Sequence, residues 1–143
     1  MSESLPHAGL RAGCSLPPLA LPEISRTALA LFAGASGDHN PIHIDPDYAR
    51  AAGFDDVFAH GMLSMAYLGR LLTGWVPQER IKTFSVRFVS ITPIHAEPTC
   101  TGTVVAREGD TATLEVAVRL PDGTTTLRGQ ATITVPAAGT TES

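Results

Sequence analysis

Residues 61–73 (GMLSMAYLGRLLT) restrict the possible folds of this chain more than any other segment. Helical periodicity places apolar residues on every face, and Arg70 is the one charged residue among them. A surface helix keeps a polar side, whereas a helix that is apolar all round is buried. A helix lying on a membrane would carry basic residues along a polar face, and none is present here. The segment therefore predicts a buried central helix, about 20 Å long, that other elements must cover.

The chain after Pro77 changes to a period of two. Phe84, Val86 and Phe88 alternate with polar residues, and the phase then slips around Ser90, which predicts a bulge or a strong bend. A further strand is expected over residues 101–107. Residues 112–120 and 127–135 alternate without interruption, and turns with the sequences EGD and PDGT precede them. Such alternation predicts antiparallel strands with one buried face.

The buried face of this sheet needs an apolar partner, and the helix at residues 61–73 supplies one. The sequence therefore predicts an α+β architecture in which an antiparallel sheet wraps around a long central helix. A single domain covering residues 1–143 is expected, because a chain of this length buries one core. Residues 1–17 and 136–143 are expected to be flexible tails.

Two shorter helices are predicted before the central one. Ser25 as the N-cap and Gly34 as the stop bound a helix over residues 26–33. Asp45 as the N-cap, Pro46 at the first position and Gly53 as the terminator bound the second. The residues between these helices are expected to form a loop.

Composition limits the partners and the compartment. The formal net charge is −4 and the ten Lys and Arg residues are scattered, which argues against nucleic acid. The two cysteines, Cys14 and Cys100, have neither metal-ligand spacing nor a disulfide framework, so a reducing cytoplasm is expected. Apolar runs long enough for a secretory signal or a membrane span are missing, so no membrane association is expected.

The loop SGDHNPIH (residues 36–43) concentrates the residues that carry chemistry. His39 and His43 have the H-x3-H spacing of a metal site, but the spacing puts both on one face only within a helix. Pro41 lies between them, and the residue before a proline avoids helical angles. Ser36 lacks the G-x-S-x-G spacing of a hydrolase nucleophile. The spacing therefore does not favour a metal site. Neither a metal nor a redox cofactor is expected, because water and two proton carriers suffice for the acid–base chemistry considered next.

Asp38 and His43 lie five residues apart across an Asn-Pro turn, so their side chains can converge on one point. A carboxylate and an imidazole together can hold a water molecule and move two protons, as the addition of water to a double bond requires. An apolar setting would raise the pKa of the carboxyl group. The alternative is that Asp38 caps a local turn and His43 is a hydrogen-bonded structural residue. Spacing alone leaves both open.

The whole motif favours the catalytic interpretation. Gly37, Asp38, Asn40, Pro41 and His43, followed by Ala49, closely resemble the signature of (R)-specific enoyl-CoA hydratases and MaoC-like dehydratases. Residues 59–72 (AHGMLSMAYLGRLL) also resemble that family's loop into its central helix. The resemblance covers residues 32–72. It implies the hot-dog fold, a long helix wrapped by an antiparallel sheet, which agrees with the periodicities.

The resemblance implies that Asp38 and His43 are the catalytic pair. They would add water at C3 of a trans-2-enoyl thioester to give the (R)-3-hydroxyacyl thioester, or remove it. We assign Asp38 to the water and His43 to the proton at C2, and the opposite split stays open. Gly61 would direct its backbone N–H at the thioester carbonyl and stabilise the enolate oxygen.

Three further residues fall at positions that the resemblance associates with the site. Asn40 and Ser64 would make supporting hydrogen bonds, and His60 would either shape the pocket or have a structural role. His39 is expected to be non-catalytic. The loop between Gly53 and His60 departs from the family pattern, because it is short and carries two adjacent acids.

The expected substrate is an acyl-CoA or acyl-carrier-protein thioester. A homodimer is expected, because one such sheet leaves an exposed edge, and a heteromer with a related chain is also possible. Two other functions remain open. One is a hot-dog acyl-CoA thioesterase, and the other is a non-catalytic acyl-binding subunit, whose carboxylate or imidazole would normally be missing.

Overall fold

The computed structural model describes residues 11–135 of the chain. These residues form three α-helices and a five-stranded antiparallel sheet with the strand order β1-β3-β4-β5-β2. The helices are α1 (Arg26–Ser36), α2 (Pro46–Ala51) and α3 (Gly61–Thr73). The strands are β1 (Leu19–Ala20), β2 (Ile81–Phe88), β3 (Thr99–Glu108), β4 (Thr111–Arg119) and β5 (Thr125–Thr134). The predicted α+β hot-dog architecture is confirmed.

The alternation in the second half of the chain sets which face of the sheet is buried. In β4, every second residue from Ala112 to Val118 is buried, and the residues between them are not. β2 ends at Phe88, where the N–H groups of Val89 and Ser90 both donate to the carbonyl oxygen of Thr126 (2.8 and 3.2 Å). Two successive residues opposite one produce the predicted bend.

The central helix α3 has the predicted bounds and packs against the sheet. Leu68, Leu71 and Leu72 are buried there, and they are among the residues that fill the space under β3 and β4. The prediction that every face of this helix is buried is wrong for one stripe. Met62 is 54% exposed, and Ala66 and Arg70 lie on the same exposed side. In the single chain the sheet therefore covers only part of the helix.

Helix α1 is longer than predicted. It continues past Gly34 to Ser36, so the predicted stop at Gly34 is wrong. The residue that ends it is Gly37, which adopts the left-handed conformation (φ 78°) and donates its N–H to the carbonyl oxygen of Ala33. Glycine adopts this conformation without steric cost. The predicted cap of α2 is confirmed, because Asp45 accepts hydrogen bonds from two N–H groups of the first turn.

The segment before α1 pairs with the sheet, which the sequence did not predict. The N–H of Gly13 donates to the carbonyl oxygen of Val104 (2.7 Å), and the N–H of Leu16 donates to that of Gly102 (2.8 Å). Leu16 is buried. Residues 13–16 belong to the predicted N-terminal tail, and the structure pairs them with β3. The rest of that tail, at residues 1–10, and the C-terminal tail lie outside the described residues.

Buried apolar residues form two separate clusters. The sheet-side core has seventeen buried residues and lies between α3 and the sheet: Leu16, Leu21, Leu68, Leu71, Leu72, Trp75, Val76, Cys100, Val104, Ala112, Leu114, Val116, Val118, Leu127, Ala131, Ile133 and Val135. The site-side core has six and joins α1, α2 and the first turn of α3: Ile24, Leu29, Ala49, Val57, Ala59 and Leu63. Within residues 11–135, every helix is too short or too polar to cross a membrane.

Candidate active site

The loop between α1 and α2 is held in shape by its own side chains. Ser36 Oγ accepts from the N–H of Asp38 (3.2 Å), and Asp38 Oδ1 accepts from the N–H of Asn40 (3.2 Å). Asn40 Oδ1 accepts in turn from the N–H of Ile42 (3.1 Å). Each side chain thus caps the backbone two residues later, as short polar side chains do in turns. One oxygen of Asp38 is used in this way, and Oδ2 is left for other partners.

His43 ends a 3₁₀ turn over Pro41–His43, and a backbone carbonyl orients its ring. Its Nδ1 lies 2.8 Å from the carbonyl oxygen of Phe58. A carbonyl oxygen only accepts, so Nδ1 carries a hydrogen and donates it. In the neutral ring the lone pair is then on Nε2, which lies 3.9 Å from Asp38 Oδ2. The side chain of His43 is 11% exposed and that of Asp38 is 48% exposed.

His60 joins the N-terminus of α3 to this pair. It is 1% exposed, and its Nε2 donates to the backbone carbonyl oxygen of Asp38 (3.2 Å). Its ring stacks on His43 with centroids 4.0 Å apart and an interplanar angle of 26°. Burial lowers the pKa of His60, which favours the neutral imidazole.

Gly61, the first residue of α3, lies against the end of β2. A Cβ atom at this position would be 2.8 Å from two atoms of the Phe88 ring, so a larger residue would displace that ring. The N–H groups in the first turn of a helix lack partners within the helix, so the one at Gly61 has no acceptor in α3 itself. Ser64 is fully buried in the same part of α3, and its Oγ has no hydrogen-bond partner among residues 11–135.

The metal interpretation involves His39 and His43, and the structure groups His43 with Asp38 and His60 rather than with His39. Possible ligand atoms of Asp38, His43 and His60 lie within 4.8 Å of one another, whereas His39 is exposed and outside this group. The two grouped imidazoles are stacked, so their ring planes are nearly parallel. A lone pair lies in the plane of its ring, so those of His43 and His60 do not converge on one point. The arrangement suits proton transfer better than metal binding.

The two interpretations of the loop turn out to be compatible. Asp38 does cap a local turn through Oδ1, and His43 does make a structural hydrogen bond through Nδ1. These bonds leave Asp38 Oδ2 and His43 Nε2 facing each other. The bonds that hold the loop in place therefore also orient the two groups that the chemistry would need.

Arg26 and Asp56 form an ion pair that the sequence did not predict. Both guanidinium Nη atoms donate to the carboxylate (3.0 and 2.6 Å), which lowers the pKa of Asp56 to about 2. The pair ties α1 to the segment that carries Phe58 and His60. This accounts for one of the two adjacent acids in that short loop.

A cavity of about 310 Å³ lies beside the site, between α1 and the loop. Its lining residues are Arg26, Thr27, Ala30, His43, Ile44 and Val57, so His43 is the candidate site residue that borders it. A wider groove of about 600 Å³ on the outer face of the sheet contains none of the candidate site residues.

Comparison with known proteins identifies the family. The family model described as "MaoC like domain" matches residues 19–124. The chain belongs to the MaoC-like family. It is 32% identical over 120 residues to an (R)-specific enoyl-CoA hydratase of Rhodospirillum rubrum, an alignment that covers 81% of this chain and 83% of that protein. The family resemblance stated above is confirmed, and the relatives that carry an activity in their names are hydro-lyases, which supports the same enzyme class for this chain.

Further relatives support this membership. A 3-hydroxyacyl-thioester dehydratase X of Mycobacterium tuberculosis is 36% identical over 79% of this chain, which spans 40% of that longer protein. Among solved structures, the R-hydratase PhaJ1 of Pseudomonas aeruginosa superposes with a TM-score of 0.84 at 25% identity, covering 98% of this chain and 94% of that one. The ChsH1-ChsH2 complex of Mycobacterium tuberculosis gives a TM-score of 0.78 at 25% identity, covering 87% and 98%.

Proposed function

We propose that this MaoC-like protein adds water to trans-2-enoyl thioesters to give (R)-3-hydroxyacyl thioesters, and catalyses the reverse dehydration. The observation that carries the proposal is the separation of 3.9 Å between Asp38 Oδ2 and His43 Nε2, with each group oriented by a second hydrogen bond. This distance is too long for a direct hydrogen bond and suits one water molecule bound to both atoms.

The reaction forms or breaks a C–H bond at C2 and a C–O bond at C3, and it needs two proton transfers, one at C2 and one at the water oxygen. In hydration, Asp38 takes a proton from the water, the water oxygen bonds to C3, and the protonated His43 delivers its Nε2 proton to C2. In dehydration, the neutral His43 removes the proton at C2 and the protonated Asp38 gives its proton to the leaving hydroxyl group. After hydration the pair still holds one proton, now on Asp38. The next bound water relays this proton to His43, which restores the starting state.

The thioester carbonyl becomes an enolate oxygen during this step and needs a hydrogen-bond donor. We assign this role to the backbone N–H of Gly61, at the positive end of the α3 dipole. Phe88 contacts the position where a side chain would stand at residue 61, so the lack of one keeps both the ring and the N–H in place. Asn40 supports the loop by capping Ile42. We keep Ser64 as a supporting residue, because its buried hydroxyl has no partner among residues 11–135 and is available for a hydrogen bond at the site.

Two substitutions test the pair. Asp38→Asn and His43→Ala should each fold normally and lose roughly 10²- to 10⁴-fold in turnover, the usual contribution of an acid or base. The two assignments of the protons are separated by exchange at C2 of a 3-hydroxyacyl thioester in D₂O. If His43 acts at C2, Asp38→Asn keeps this exchange and His43→Ala loses it. Near-full turnover in either variant would contradict the proposal.

An assay with crotonyl-CoA distinguishes the proposal from the two other functions. Hydration removes the ultraviolet absorbance of the conjugated thioester without releasing a thiol, and the product has the (R) configuration. A thioesterase would release free CoA, detected with a thiol reagent, from saturated thioesters as well. A non-catalytic acyl-binding chain would leave both signals unchanged. A series of enoyl chain lengths on CoA and on an acyl-carrier protein would then define the substrate.

The assembly that we propose is a dimer formed along β2. This strand pairs with β5 on one side and ends the sheet on the other. Large apolar side chains are exposed near this edge: Met62 (54%), Phe88 (55%), Val89 (54%) and Ile91 (49%). Light scattering should give about twice the chain mass of 15.0 kDa, either alone or after mixing with a related chain. A monomer under all conditions would contradict this.

The remaining proposals concern the setting of the reaction. Water and two proton carriers suffice for the chemistry, so we propose that neither a metal nor a redox cofactor takes part, and activity should survive dialysis against a chelator. A cytoplasmic location is proposed because both cysteines are free thiols, and Cys100 is buried. We also propose that residues 1–143 act as one domain.

A further inference from the structure

His60 contacts both members of the proposed pair, although it lies 22 residues from Asp38 along the chain. Its Nε2–H holds the backbone carbonyl of Asp38, and its ring covers one face of His43. Phe32 meets its ring edge-on at 4.9 Å, so the ring is held by a third contact. A buried side chain with three such contacts has little freedom to move.

The hydrogen bonds define the chemical form of His60. A carbonyl oxygen accepts at Nε2, so the hydrogen is on that nitrogen and Nδ1 has the lone pair. Nδ1 is buried without a partner among residues 11–135, and a second proton there would leave an unpaired charge in a buried site. His60 therefore serves as a neutral ring with one donor.

We propose that His60 is a positioning residue for the reaction, a role that rests on the proposed function. Its donor sets the place of the Asp38 backbone, and its stacked ring sets the plane of His43, so that Asp38 Oδ2 and His43 Nε2 stay 3.9 Å apart on one side of the substrate. Because His60 remains neutral, it adds no second positive charge beside His43 when His43 carries the proton.

Substitutions separate the two contacts. His60→Gln retains an N–H at about the reach of Nε2 and loses the ring, whereas His60→Phe retains a ring and loses the donor. His60→Ala loses both. A misplacement of about 1 Å can cost up to roughly 10²-fold in rate, so His60→Ala should lose roughly 10²-fold in kcat. The Gln and Phe variants should each recover part of this loss, with KM changed less than kcat throughout.

The matched control is His39→Gln, in the same loop but exposed and outside the group of three. It should keep the kcat of the unmodified protein. Circular dichroism and thermal unfolding show which variants fold. If His60→Phe does not fold, nitrogen-15 NMR of the unmodified protein still tests the inference, because it should show hydrogen on Nε2 of His60 and on Nδ1 of His43.

Three results would overturn the inference while leaving the proposed function intact. They are a folded His60→Ala variant with normal kcat, a loss in which KM changes as much as kcat or that His39→Gln shows to the same extent, and NMR signals that place the hydrogen of His60 on Nδ1 rather than on Nε2. If the unmodified protein does not hydrate enoyl thioesters at all, the proposed function fails first.

Discussion

The sheet-side core and the site-side core differ in size and in what they support. The sheet-side core has seventeen buried residues between α3 and a regular sheet. The site-side core has six, and above it lies a loop whose main supports are hydrogen bonds from its own side chains. Helix α3 contributes to both, with Leu63 in the smaller core and Leu68, Leu71 and Leu72 in the larger one.

This difference indicates a division of roles along one helix. Stability scales with the apolar surface removed from water, so most of it should come from the sheet-side core. The geometry of Asp38 and His43 depends instead on the smaller core and on a few hydrogen bonds. Changes in the two cores should therefore affect stability and turnover in different proportions.

A matched pair of leucines tests this division with the largest expected effect. Leu114→Ala in the sheet-side core and Leu29→Ala in the site-side core both remove a fully or almost fully buried side chain. Each should lower the free energy of unfolding by about 2–5 kcal/mol. Leu29 lies in α1, which leads into the loop, so its substitution should also lower kcat per folded molecule. Denaturant titration measures the free energy of unfolding, and a turnover assay measures kcat per folded molecule. Equal losses of kcat in the two variants would contradict the division of roles between the two cores.

A pair of glycines in α3 should give a smaller effect of the same kind. Gly61→Ala places a methyl group 2.8 Å from the Phe88 ring, so turnover should fall by roughly 10-fold as the ring and the helix end shift by a fraction of an ångström. At Gly69 the nearest atom outside the local helix is 4.0 Å away, so Gly69→Ala should stabilise the helix by about 0.5–1 kcal/mol. Gly61→Ala with normal turnover would contradict the role assigned to that backbone.

The Arg26–Asp56 pair should give the smallest effect, because both side chains are partly exposed to solvent. The pKa of Asp56 is lowered from 3.8 to about 2 in the folded chain, so the unfolded chain binds more protons between these values. The stability from the pair is therefore present above about pH 4 and lost as the pH falls through 2. Asp56→Asn should have a slightly lower Tm at pH 7, and this difference should shrink below pH 4. Asp55→Asn is the control, since its backbone carbonyl rather than its carboxylate accepts from Arg50.

Much of the sheet-side half follows from periodicity. Alternation over residues 112–120 and 127–135 and the apolar helix at 61–73 are local patterns, and the elements have the predicted type and nearly the predicted bounds. No local pattern of this kind decides whether α1 ends at Gly34 or at Gly37. Either glycine can end a helix, and only Gly37 adopts the left-handed conformation. The pairing of residues 13–16 with β3 joins segments almost ninety residues apart, beyond any local pattern.

The candidate site likewise has a part that the sequence predicts and a part that only the structure shows. The family motif in one short loop identifies Asp38 and His43 as candidates, which spacing alone does not, and their facing atoms are close in the structure. The carbonyl of Phe58 lies 15 residues from His43 along the chain, and a backbone acceptor has no signature in a sequence. The role of His60 depends on a ring stack between separate segments, so the motif could suggest the residue but could not define its contacts.

The most direct test of the central claim is the stereochemistry of hydration in D₂O. If Asp38 and His43 act together from one side of the substrate, crotonyl-CoA should gain one deuterium at C2 on the same face as the new hydroxyl group at C3, and the product should be (R). NMR of the isolated 3-hydroxyacyl product reads both centres. Deuterium on the face opposite to the hydroxyl group, already in the first turnover, would mean that the water and the deuteron reach the substrate from different sides. That result would contradict the account.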